Sequence, residues 1–252
     1  MNQSLSFKKK CAIVFGVGAQ KGIGAAICRR VAREDIKVYV VGRTKSKLDL
    51  VVREINSKGG RAEAYVVDTT DEKQVNNFFK IVEDENLILD LVVHNVGGNY
   101  PSRFLHTSLD FFDSMWKSVY LSGFHVGQYA TQMMQRQKQG TVLFTGASAS
   151  LRGKPFFAAF TLGKAAIRNY VQGLSTLLKE SNIHVGHIII DGVVDGDRVN
   201  HAVWGLGGLF RRFKPSGGLN IDAIAESYWQ IYQEPKAIWT QEIDLRPYKE
   251  KF

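Results

Sequence analysis

The chain has 252 residues, 44% of them hydrophobic, with 33 Lys and Arg against 24 Asp and Glu for a formal charge of +9. That length and apolar content can fill a sizeable core without disulfides or metals, which excludes a disordered or collagen-like chain. No apolar run approaches the ~18 residues of a membrane span, the opening MNQSLSFKKKC lacks the apolar stretch of a secretion signal, and Cys11 and Cys28 are too isolated for a zinc site or disulfide framework, so a reducing cytoplasm is expected.

Positive charge raises the question of a nucleic-acid partner. The basic residues are scattered over Lys8 to Lys10, Arg29, Arg30, Arg43 to Lys47 and Arg211 to Lys214, without a helix-turn-helix, zinc-finger or aromatic RNA-binding motif. The charge is therefore read as solubility, with neither nucleic acid nor membrane as partner.

In chain order, apolar runs of strand length alternate with amphipathic stretches. The pattern predicts strands over 11–17, 37–41, 62–67, 88–94, 141–145, 184–190 and 238–243, and helices over 22–33, 46–57, 71–84, 108–137, 157–180 and 222–233. Strand and helix in strict alternation predict a parallel sheet covered on both faces, one doubly wound α/β domain spanning residues 1–252. The exception is the stretch 192–220, with seven glycines and the apolar residues Trp204, Leu209 and Phe210. A loop this long is expected to act as a substrate lid, and its Arg211, Arg212 and Lys214 suggest an apolar substrate with an anionic group.

Between the first strand and first helix lies Gly16 to Gly24, GVGAQKGIG. Glycines there let the backbone approach a pyrophosphate, and the helix N-terminus offers it free N–H groups. The spacing G-x-x-x-G-x-G on Gly18, Gly22 and Gly24, with Lys21 and Ile23 between them, resembles the short-chain dehydrogenase/reductase family and implies its Rossmann-type fold. The resemblance continues at Asp68, where the family places an adenine contact, and at His94-Asn95-Val96-Gly97, similar to the family's Asn-Asn-Ala-Gly. It covers the chain from Cys11 to about Val194.

The end of the second strand, Val41-Gly42-Arg43, has no acid to bind a ribose 2′-hydroxyl, and Asp35 stands at the opposite end of that strand. Arg43 and Lys21 instead offer charge to a 2′-phosphate, so NADP(H) is expected over NAD(H).

The catalytic positions depart from the family. The resemblance implies a Tyr proton donor, a Lys four residues later that holds the nicotinamide ribose, a Ser thirteen residues before the Tyr and an Asn on the preceding helix. Lys164 is present, but Phe160 stands at the Tyr position, Ala147 at the Ser position and Tyr120 at the Asn position. A phenyl ring has no proton to give, so the family reaction cannot run unchanged. Ser148 and Tyr120 are the candidate replacements, although strand alternation points Ser148 away from the cleft unless the strand end bulges. The family's Pro-Gly after the sixth strand is here Asp191-Gly192, with Val194 following as a backbone contact to the nicotinamide.

His94 and His187 read as core histidines, and no residue spacing suits a metal. The expectation is an NADP(H)-dependent oxidoreductase with a rearranged site. The alternative is a catalytically silent NADP(H)-binding protein, such as a redox sensor or assembly partner. The helices over 108–137 and 157–180 resemble those through which family members pair, implying a homodimer or homotetramer.

Overall fold

A computed structural model describes residues 9–153, 155–195, 197 and 218–248. Seven parallel strands form one sheet: β1 (Lys10–Phe15), β2 (Ile36–Gly42), β3 (Arg61–Val66), β4 (Ile88–His94), β5 (Gly140–Ala147), β6 (Ile183–Ile190) and, after a two-strand flap of β7 (Val194–Asp195) and β8 (Leu219–Asn220), β9 (Glu242–Leu245). Their order is β3-β2-β1-β4-β5-β6-β9. Val, Ile and Leu dominate the central strands because both faces are covered, so neither can be polar.

Successive side chains of β1 divide between two cores. Ala12 and Val14 pack beneath α1 (Ile23–Val31), α2 (Lys45–Ser57) and α7 (Ile221–Tyr232). Cys11, Ile13 and Phe15 pack beneath α3 (Glu72–Asp84), α5 (Ser122–Gln137) and α6 (Ala158–Leu178). Among these, each buried Val, Ile or Phe side chain contributes about 1.5–3 kcal/mol. The helix starts follow local chemistry: Asp71 caps α3 by accepting from the N–H groups of Lys73 and Gln74, and Asn220 caps α7 through those of Asp222 and Ala223.

Two predicted elements differ. The helix expected over 108–137 is interrupted: α4 (Leu109–Trp116) passes into a π turn over Lys117–Leu121 before α5 begins. Ser118 and Ser122 use their hydroxyls on the carbonyls of Met115 and Ser118, which accommodates the wider turn. The last strand lies at Glu242–Leu245 rather than 238–243, because Lys236–Ile238 follows Pro235 as a 3₁₀ turn. Most of the predicted lid, residue 196 and residues 198–217, lies outside the described residues.

The strand order reverses between β1 and β4: β2 and β3 extend from β1 to one side of the sheet, and β4, β5, β6 and β9 to the other. In open parallel sheets the crevice beyond the strand ends at this reversal is where ligands bind.

Candidate functional site

A cleft of about 710 Å³ opens there. One end is walled by Gly16, Gly18, Lys21, Gly22, Ile23 and Gly24, the middle by Asn95, Gly97, Thr145 and Lys164, and the far end by Ala147, Ser148, Ala149, Phe157 and Phe160, with Asp191 to Val194 along one side. Every expected cofactor residue lines it except Arg43 and Asp68.

Close backbone approach shapes the glycine end. Gly16 has φ of +83°, and a Cβ there would lie 2.4 Å from the Asn95 carbonyl oxygen; a Cβ on Gly24 would be 3.2 Å from the Gly16 carbonyl. Only glycine allows both the turn and the packing of α1 onto the strand ends. Gly22 is the N-cap of α1, no side chain caps the helix, and its first turn carries no acid. That end is electropositive and suited to an anion, which fits a dinucleotide pyrophosphate. The segment after β6 reaches the same turn: Lys21 N–H donates to Asp197 Oδ2 at 3.1 Å and Asp197 N–H to the Lys21 carbonyl at 2.9 Å.

Arg43 follows β2 and is exposed outside the cleft wall. Val17 of the glycine turn donates its N–H to the Val41 carbonyl at 3.0 Å, so the end of β2, and Arg43 with it, is tied beside that turn. Asp68 also lies beyond the wall; its Oδ1 accepts from the Thr70 N–H at 3.0 Å and hydroxyl at 2.8 Å, which fixes the carboxylate in a tight turn.

Asn95 sits at the middle of a buried chain that the sequence did not reveal. Its amide donates to the Gly16 carbonyl at 3.4 Å and accepts from Thr145 Oγ1 at 3.1 Å. With the Thr145 proton committed, Tyr228 must be the donor in its 2.7 Å bond to Thr145 Oγ1. A residue on α7 thereby braces the ends of β1, β4 and β5. Tyr228 carries no motif, and only its place on a buried helix face could have marked it.

Lys164 is 4% exposed, and its Nζ donates to the Thr145 carbonyl at 2.6 Å. Burial pushes its ammonium down to about 8. His94 is fully enclosed nearby: since Ser122 gives its proton to the Ser118 carbonyl, the His94 Nε2–H donates to Ser122 Oγ at 3.0 Å. Burial, with Lys164 as a second cause, pushes His94 down to about 3. His187 donates from Nδ1 to Glu242, which also receives two bonds from Arg168, and burial pushes it down to about 4. Both histidines are neutral core groups, as the sequence suggested. No cluster of metal-ligating side chains occurs among the described residues.

Phe160 lies one turn before Lys164 and forms part of the cleft wall, its ring 5.8 Å from the ammonium. Ser148 lines the cleft after all. The strand ends at Ala147, and a 3₁₀ turn over Ser148–Ser150 breaks the alternation that would have turned Ser148 away. The hydroxyl that closes this turn belongs to Ser150, which donates to the Ala147 carbonyl at 2.8 Å.

Tyr120 is not brought to the cleft. Its ring packs 4.6 Å from Trp116 and within 6.4 Å of Phe124 and Tyr170, against the core beneath α5 and α6. The π turn shifts the helical phase here, and the ring meets the core rather than the cleft. Asp191, in place of the family's Pro, is buried and paired to Arg152 at 3.2 Å.

A family model described as short chain dehydrogenase matches residues 10–202. The chain is 26% identical over 240 residues to an uncharacterized oxidoreductase of Staphylococcus aureus, covering 94% of this chain and 97% of that protein. A crystal structure of a short-chain dehydrogenase from Rhodopseudomonas palustris is 33% identical, covers 95% of this chain and 99% of its own, and superposes with a TM-score of 0.80. An alcohol dehydrogenase from Thermococcus sibiricus, solved with 5-hydroxy-NADP, shares the fold at 23% identity and a TM-score of 0.81, covering 97% of this chain and 99% of that one. With three quarters of its length matched and its cleft at the strand reversal, the chain belongs to the short-chain dehydrogenase family of oxidoreductases.

Proposed function

We propose that this protein is an NADP(H)-dependent oxidoreductase that moves hydride between the nicotinamide and a carbonyl or alcohol carbon through a rearranged active site. The observation that carries this reading is one cleft joining the glycine turn, Asn95, Gly97 and Lys164, with Phe160 in the wall where the family resemblance implies a phenol. Bound NADP(H) supplies the hydride. Arg43 and Lys21 would hold the 2′-phosphate through charge-assisted hydrogen bonds, the turn from Gly18 to Gly24 the pyrophosphate, Asp68 the adenine, and the backbone at Val194 the carboxamide.

At the reacting end, Lys164 and Ser148 are the two candidate catalytic groups that line the cleft. Lys164 holds a proton at neutral pH and, lowered to about 8, releases it more readily than an exposed lysine would. In this reading Lys164 binds the nicotinamide ribose, Ser148 orients the substrate oxygen, and no positioned acid stands where the family resemblance implies one. Phe160 excludes water and gives no proton. Tyr120 is set aside because its ring lies outside the cleft wall.

Loss of a positioned acid costs about 10²- to 10⁴-fold, so ketone reduction by the native chain is expected to be slow. Phe160→Tyr with Ala147→Ser should raise it at least about tenfold, read as NADPH oxidation with cofactor affinity verified. No gain in a folded, NADPH-binding double variant would favour the silent dinucleotide-binding protein instead, to which Phe160 in the wall also points.

A further inference from the structure

Ser148 owes its place in the cleft to a short turn, and that turn is fastened from outside. The Ser148 hydroxyl makes no hydrogen bond among the described residues, whereas the Ser150 hydroxyl is used within the turn on the Ala147 carbonyl. The main chain folds back on Ser148, whose carbonyl accepts from the N–H groups of Leu151 at 3.0 Å and Arg152 at 3.2 Å. Ala149 between them is buried in the same apolar cluster as Phe160. Because the Arg152 backbone is bonded to Ser148 itself, a partner that fixes the Arg152 side chain also fixes the turn.

That partner is Asp191. Arg152 donates from Nη2 to both carboxylate oxygens, at 3.2 Å and 3.5 Å. Asp191 is 3% exposed and follows Ile188, Ile189 and Ile190 at the end of an otherwise apolar strand. Taking a carboxylate out of water is costly, and apolar groups of similar volume often serve stability as well or better, so stability alone does not account for a charge here. It is met by Arg152 and, at 3.7 Å, by Arg246, which also pairs with Asp244. The anchor is itself held: Asp191 N–H donates to the Leu245 carbonyl at 2.9 Å, and a Cβ on Gly192 would come 2.8 Å from Pro247 Cδ. One buried carboxylate therefore ties the turn after β5 to the joined ends of β6 and β9.

We propose that Arg152 and Asp191 are positioning residues that hold the Ser148 hydroxyl in the reacting end of the cleft, acting through the turn from Ser148 to Arg152. What the hydroxyl meets there rests on the oxidoreductase reading above; the fastening of the turn does not. The proline that the family resemblance implies at position 191 could not do this, because its ring has no acceptor for a guanidinium.

A thiol at position 148 reports on the turn without any need for turnover. Cys11 and Cys28 are both buried, so iodoacetamide added to full-length Ser148→Cys reads the new thiol in the cleft. Adding Arg152→Met together with Asp191→Asn removes both charges and leaves Arg246 its bond to Asp244, so no ion is orphaned and the variant should fold. Alkylation of position 148 should then become severalfold faster while Cys11 and Cys28 stay unlabelled. Arg152→Lys, which keeps a cation on Asp191, should stay close to the parent rate. An unchanged rate in the double change would overturn the proposal, and so would faster labelling that spreads to Cys11 and Cys28, which marks a general loss of packing. The reaction is read separately, as cyclohexanone reduction by NADPH in chains that keep the native serine or carry Ser148→Ala. Arg152→Met with Asp191→Asn should lower kcat as far as Ser148→Ala does, and combining all three should lower it no further; additive losses would contradict action through Ser148. A turn released by the double change in a protein that reduces no ketone would keep the fastening and remove the oxidoreductase reading.

Discussion

Lys164 carries a cost that its surroundings do not offset. Burial lowers it from 10.5 to about 8, and its recorded partner is a neutral carbonyl, Thr145. Between those two values the unfolded chain binds more protons than the folded one, so stability rises with pH across that window; below about 8 the whole penalty is present. Lys164→Met should therefore stabilise the fold at pH 7 by on the order of 1–3 kcal/mol, less as pH approaches 10, while weakening NADPH binding. Thermal melts across that range check it, and destabilisation at pH 7 would count against it. His187 works on the acid side. Its folded value near 4 lies below the ordinary 6.5, so stability is lost as pH falls from 6.5 towards 4, and His187→Gln should blunt that loss in acid melts. Sequence made Lys164 and Phe160 legible because their i, i+4 spacing survives. It could not show the bond from Tyr228 to Thr145, which joins residues 83 positions apart.

The elements around the cleft meet through tight contacts that limit substitution. Gly163 lies on α6 between Phe160 and Lys164, and a Cβ there would come 2.9 Å from Cβ and Cγ1 of Val119 in the π turn. An alanine gains about 1 kcal/mol of helix propensity, but the Val119 Cβ is fixed to the backbone and cannot swing aside. Gly163→Ala should destabilise by about 1–3 kcal/mol, and adding Val119→Ala should restore most of it, as denaturant melts of the double-mutant cycle would show. An additive pair would mean that the two elements are not coupled. The strands were readable because buried parallel strands are continuous apolar runs. The π turn was not, since its lysine, serine, valine, tyrosine and leucine suit an α-helix equally well. The same limit explains Tyr120, whose direction depends on the turn, and Ser148, whose direction depends on where β5 stops.

At the scale of the molecule, the alternation of strand and helix was enough to predict a doubly wound sheet, and the glycine spacing marked residues that line one end of its crevice. What pattern alone could not supply was the apolar far end, assembled from segments around residues 100–120 and 147–160. No described helix is long and apolar enough to cross a membrane. We expect a closed homodimer or homotetramer formed along α5 and α6, where Leu162 and Leu177 are exposed; light scattering at micromolar concentration should show it, and a monomer alone would contradict it. The most direct test of the whole account is a calorimetric titration of the intact protein with NADPH and with NADH. The assignment of Arg43 and Lys21 to a 2′-phosphate predicts that NADPH binds more tightly than NADH, and that Arg43→Ala narrows the difference by weakening NADPH alone. Equal affinities would remove the 2′-phosphate assignment, and no binding of either nucleotide would contradict the central claim.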